Sequence, residues 1–176
     1  MKRFLFTFLL AIVLVGVGCV GAQNNENQPP DNNGSTDETP VPVSEVQIYL
    51  IALSDGSTTG PIGCGDSLVA VTRVLPTPTT DTVRVALEEL FGIKTSQYGQ
   101  SGLYNALASS PLSVDKVTET ATTVRVDLKG GFVLGGACDN PRAEAQILKT
   151  IEYYMPGKTV VVTVDGEPLA DALSLK

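Results

Sequence analysis

The stretch "GCGDSLVAVTRVLP", residues 63 to 76, decides the fold. If Asp66-Ser67 ends a strand and opens a helix, the chain carries the tight turn on which hydrolytic serines sit. If the two residues end a loop and open a strand, it does not. "SLVAVTRVL" (67–75) is rich in β-branched residues and alternates in polarity, which is the pattern of a half-buried strand and not of a helix. Asp66-Ser67 therefore reads as a turn feeding a strand over 68–75, with Pro76 and Pro78 ending it.

Outward from this stretch the order of elements follows. "VQIYLIAL" (46–53) is a strand, and "SDGSTTGPIGCGDS" (54–67) is the loop that carries Cys64. In "TTDTVRVALEELFG" the period changes: Val83, Ala86, Leu87, Leu90 and Phe91 recur at helical spacing, with Thr80 or Asp81 as N-cap and Gly92 as stop. Residues 93–111 have no clear period, and long ordered loops are often functional. Tyr98, Leu103, Tyr104 and Asn105 are its candidate binding residues, since tyrosine and asparagine on an exposed loop can stack on and hydrogen-bond sugars. Leu103 and Tyr104 can equally dock into the core. Residues 112–130 read as an antiparallel pair turning near Thr120-Ala121.

"GFVLGGACDN" (131–140) is glycine-rich but lacks the Lys-Ser/Thr of a phosphate loop. "NPRAEAQILKTIEYYMPG" (140–157) is the strongest helix, with Asn140 as cap, Pro141 at the first helical position and Ile147, Leu148, Ile151, Tyr154 and Met155 as its buried stripe. "TVVVTVDGEPL" (159–169) is a last strand with a turn at Asp165-Gly166. The order β-β-α-β-β-α-β gives an α+β fold: a small mixed or antiparallel sheet with two helices packed on it. The two β-β-α halves hint at a repeat.

The N-terminal end has a different character. Met1-Lys2-Arg3 is basic, and "FLFTFLLAIVLVGVG" (4–18) is almost wholly apolar, which reads as an export signal within residues 1–22. Two endings fit it. Cys19 can be acylated to give a lipoprotein, although Gly16 stands where a lipobox has leucine; alternatively, cleavage follows Ala22. Residues 23–45 are rich in Asn, Pro and Thr and contain no basic residue, which is the composition of a tether too polar to bury a core. Residues 46–176 then make one domain, placed outside the cytoplasm as a lipoprotein on the outer face of the membrane or as a secreted protein.

The 176 residues carry a net charge of −7, with no basic stripe, which argues against a nucleic-acid partner. Once Cys19 is set aside, Cys64 and Cys138 remain, an even pair in an exported chain that reads as a disulfide. Closing so long a loop is worth about 4 kcal/mol in the chain-entropy account. A structural zinc site needs four Cys or His ligands, so neither a metal nor a cofactor is expected.

Gly65-Asp66-Ser67-Leu68 does spell the signature of the GDSL serine esterases. Those enzymes need a histidine to take the serine proton, and this chain has none. Ser113 and Lys116 do stand in S-x-x-K spacing, but three residues after Ser67 is Ala70, so no lysine in that spacing replaces the histidine for Ser67. No catalytic residue is therefore expected, and an esterase is the weakest of three readings.

Taken together, "VQIYLIAL", "GCGDSLVAVTRVLP", "VRVALEELFG", "YGQSGLYNAL", "TTVRVDLKGGFVLGGACDNPRAEAQILKTIEYY" and "VVVTVDGEPL" resemble, in order and spacing, the GerMN domain of sporulation and spore-germination proteins. The resemblance runs from about Val46 to Leu169. It departs from the family at "FGIKTSQYGQSGLYNAL", where many members carry a Gly-Pro and a Pro-Gly turn. The resemblance implies helices against a small sheet, no catalytic activity, and action in the cell envelope by contact with other proteins. The expected function is a membrane-tethered, non-enzymatic module whose partners are envelope proteins. The alternative is an envelope module that binds a glycan or small ligand.

Overall fold

The structure is a computed structural model that describes residues 40–55 and 61–174. The expected signal segment with Cys19, and the tether up to residue 39, lie outside the described residues.

The first strand, β1 (Val43–Ala52), buries Val46, Ile48 and Leu50 on one face through its period-two alternation. It pairs antiparallel with β2 (Ser67–Thr79), Ile51 opposite Leu68 and Val46 opposite Arg73. The turn-then-strand reading of Asp66-Ser67 is what the chain adopts. The strand does not stop at Pro76, however, but runs on through Pro78 to Thr79. β2 is the edge strand of its sheet, where a proline removes no needed ladder bond.

The first helix, α1 (Thr82–Gly92), is capped by Asp81, whose carboxylate accepts from the Arg84 N–H at 3.4 Å, and it buries Val83, Ala86, Leu87, Leu90 and Phe91 as its period dictates. The ambiguous segment then contributes a two-residue strand, β3 (Leu103–Tyr104), which pairs with β1 at Ile51 and Ala52. The first sheet thus has the order β2-β1-β3.

The second sheet has the order β4-β5-β6-β7. Strands β4 (Ser113–Glu119) and β5 (Thr123–Lys129) form the expected antiparallel pair. The chain then crosses over through α2 (Asp139–Tyr154), and β6 (Thr159–Val164) returns parallel to β5. Asp165 (φ 49) and Gly166 (φ 90) make a turn whose two positive φ angles suit an Asp-Gly pair, and lead into β7 (Glu167–Pro168) and the short α3 (Leu169–Leu173).

The fold class is α+β, as read, but the described residues form two sheets and three helices in place of one sheet and two. The helices join the sheets: α1 packs on β1 and β4, and α2 on β1 and β6, around one apolar cluster that includes Leu50, Leu87, Leu107, Val126 and Ile147. The cap of α2 is also corrected. Cys138, not Asn140, precedes the helix, and Pro141 falls in the first turn, where its missing N–H has no helical partner to lose. The side chain of Asn140 instead donates to the Leu173 carbonyl at 2.9 Å.

The edge of β1 that faces away from β2 is closed by side chains of α2. The Tyr154 hydroxyl accepts from the Gln47 N–H and donates to the Gln47 carbonyl. The Thr150 hydroxyl accepts from the Tyr49 N–H at 3.3 Å, and the Gln146 amide donates to the Tyr49 carbonyl at 3.0 Å. Four-residue steps along a helix keep these side chains on one face, and alternate residues of a strand direct backbone groups to the same edge. Gln146 is fully buried and also accepts from the Ala106 N–H, so its loss would orphan buried groups on two other segments. Gln146→Leu is expected to lower unfolding free energy by about 3 kcal/mol. Denaturant titration checks this: a change within error would show that β1 does not need the helix.

Candidate functional site

Ser67, the residue on which an esterase reading depends, opens β2 and is only 4% exposed. Its hydroxyl donates to the Asp55 carboxylate. A carboxylate alone is a poor base for a serine proton at neutral pH, being mostly unprotonated only because it holds protons weakly. No imidazole exists in the chain to supply a better one.

Asp66 is fully buried and equally committed. One carboxylate oxygen accepts from the Ser54 N–H at 2.8 Å, just beyond the end of β1; the other accepts from Arg142 Nε at 2.7 Å. Arg142 also donates to Asp139 at 3.0 Å and lies over the Tyr104 ring, 5.4 Å from its centre. Asp139 in turn accepts from the Tyr104 hydroxyl at 3.0 Å and from the Gly135 N–H at 2.8 Å. The ion pairs are completed by hydrogen bonds on both carboxylates, the condition under which a buried charge is tolerated.

Cys64 and Cys138 stand at the rim of this cluster, with sulfur atoms 2.05 Å apart and Cα atoms 6.0 Å apart, a disulfide geometry. Gly63, Cys64 and Gly65 all have positive φ (96°, 51° and 73°), so the loop reaches the helix through a backbone shape that glycine on both sides makes accessible. A shallow hollow beside the cluster is lined by Tyr104, Gly135, Gly136, Cys138, Asp139 and Arg142.

The four residues expected to form a binding loop are largely built into the fold. Asn105 is 1% exposed, with its amide donating to the Ile93 carbonyl and its oxygen accepting from the Leu107 N–H and the Gln146 amide. Its side chain is committed to these bonds: two lie within residues 93–111, and the third ties that segment to Gln146 of α2. Leu103 and Tyr104 form β3, and the Tyr104 hydroxyl is held by Asp139. Tyr98 is half-buried and its hydroxyl accepts from Arg73 at 3.2 Å. The reading in which Leu103 and Tyr104 dock into the core is the one this geometry fits. Among the described residues there is no group of three or more His, Cys, Asp or Glu side chains able to hold a metal ion, and no helix long and apolar enough to cross a membrane.

Arg142, Gln146 and Thr150 were not singled out by the sequence pattern. Their signal was there: Arg142, Gln146, Thr150 and Tyr154 recur every fourth residue beside the apolar row Ala143, Ile147 and Ile151. A polar row flanking the buried row of a helix marks groups that bond to a neighbouring backbone.

Burial alone would raise the pKa of Asp66, but the Arg142 hydrogen bond, the Ser54 N–H and the guanidinium charge outweigh it and hold the carboxyl below its ordinary value. A lowered folded-state pKa stabilises the fold fully above the ordinary aspartate range, near pH 4, and that contribution is lost as pH falls through the lower folded value. Asp127 is lowered too, chiefly by the Thr163 hydroxyl, so the acid limb of the stability curve has more than one source. The gap in unfolding free energy between wild type and Asp66→Asn is expected to be constant from neutral pH to about pH 4 and to shrink below it. A gap that grows on acidification would contradict the ion pair.

Residues 47–170 match the family model Germane, described as sporulation and spore germination. Among solved structures, the tandem GerMN domains of the sporulation protein GerM from Bacillus subtilis share the fold, with a TM-score of 0.50 and 18% identity. The match covers 71% of this chain and 40% of that chain, so the likeness speaks for the fold alone. No curated protein sequence matches. With most of its length matched by the family model, from the middle of β1 to the start of α3, the chain belongs to the Germane family of sporulation and spore germination domains.

Proposed function

We propose that this chain is a non-enzymatic module of the cell envelope, tethered to the membrane through its N-terminal segment, that acts by contact with other envelope proteins. The observation that carries the reading is the use of Asp66 and Ser67. Both side chains are buried, Asp66 holds Arg142 and Ser54, and the Ser67 hydroxyl is given to Asp55. Groups so committed hold the loop and helix together, and a chain without histidine has no ordinary means of freeing the serine for attack. The export signal, Cys19 and the basic-free linker of residues 23–45 support the tether. Family membership supports a setting in sporulation or germination.

The test has two arms on the full chain. A fluorophosphonate probe is expected to leave Ser67 unlabelled; a covalent adduct at Ser67 would make the chain a hydrolase. Photo-cross-linking in intact cells is expected to join the chain to another envelope protein. Cross-links confined to cell-wall glycan would favour the glycan-binding alternative instead.

A further inference from the structure

The two edges of the first sheet are treated differently. The β1 side is closed by Gln146, Thr150 and Tyr154 and by β3, whereas among the described residues no strand lies beside the outer edge of the longer β2. An open edge invites pairing, and proteins usually blunt it with charge, proline or a bulge. The edge strand of the second sheet, β4, follows that rule: it carries Asp115, Lys116 and Glu119, and its register shifts between Val114 and Lys116. In β2 the prolines lie only at 76 and 78, the register with β1 is unbroken from Ser67 to Val74, and Arg73 is the single charge. That charge is already held by Glu89 at 2.9 Å. On the outer face, shared with Gln47 through its bond to Thr72, Ala70 and Thr72 are exposed and Val74 is 73% exposed.

We propose that the outer edge of β2 pairs antiparallel with β2 of a second copy of this chain, with the two-fold axis at Thr72. Symmetric antiparallel pairing needs an axis perpendicular to the sheet, so each residue meets one an even number of positions away. With the axis at Thr72, the two threonines face each other, and the exposed Val74 of one copy packs on the small Ala70 of the other. Arg73 then faces Val71, so no like charges meet; an axis at Arg73 would oppose two guanidiniums. Pro76 stands where the pairing ends. Self-pairing suits this edge because a strand whose single charge is held by Glu89, with a large and a small side chain equally spaced about its centre, is complementary to itself.

The test is oxidative cross-linking of the full chain in membranes of cells that express Thr72→Cys, with peptide mapping confirming that Cys64 and Cys138 remain linked to each other. The proposal expects a 72-to-72 disulfide dimer, little dimer from Val74→Cys, and a yield about tenfold lower when Val74→Lys is added to Thr72→Cys. No covalent dimer, equal yields from Thr72→Cys, Val74→Cys and the remote Lys116→Cys, or a link from residue 72 to a different protein would each overturn it. Thr72 and Val74 are exposed, so neither substitution touches the core.

Discussion

A row of polar side chains on α2 holds the domain together. Tyr154, Thr150 and Gln146 bind the edge of β1 at Gln47 and Tyr49, and Arg142, one more four-residue step along, reaches Asp66, which binds Ser54 just past the strand. The helix thus runs beside β1 as a further strand would, supplying hydroxyl, amide and guanidinium groups where a strand would supply backbone. Buried backbone groups without partners cost about 1–3 kcal/mol each, so the row must be satisfied as a whole. It also fixes residues 93–111, because Gln146 binds both Ala106 and Asn105.

This arrangement accounts for the esterase-like tetrapeptide without chemistry. Asp66 is the point at which the polar row of the helix meets the loop after β1, and Ser67 is the first residue of the strand that returns beside it. Cys64 and Cys138, placed at disulfide distance, bring the same loop to the same helix end. In a nucleophilic site, the serine must be exposed to substrate and activated by a base. Here the same letters are buried and bonded to their neighbours. The family is one of sporulation and germination domains, and the open edge of β2 is the surface proposed above for meeting a second copy.

The local elements were legible because each had a local cause. The stripe of α1, the Thr120-Ala121 and Asp165-Gly166 turns, and the strand character of 67–75 all follow from spacing and turn chemistry. What was misread depended on distant contacts. Pro76 and Pro78 read as stops because sequence does not reveal that β2 is an edge strand. Asn140 read as a cap, yet Leu173, thirty-three residues on, takes its side chain. Asn105 read as a loop residue free to bind, yet its partner Gln146 lies forty-one residues away. The division into two sheets was invisible for the same reason, since nothing local to β2 or β4 tells whether they pair.

Hydrogen exchange at the amides of Gln47 and Tyr49 tests the central claim most directly. Both lie on the side of β1 away from β2, short of the two residues that β3 covers, so without the helix they would face water and exchange quickly. The account expects both to be protected to nearly the level of core strand amides, with Tyr154→Phe releasing Gln47 and Thr150→Val releasing Tyr49. Fast exchange at both positions in the unaltered chain would contradict it.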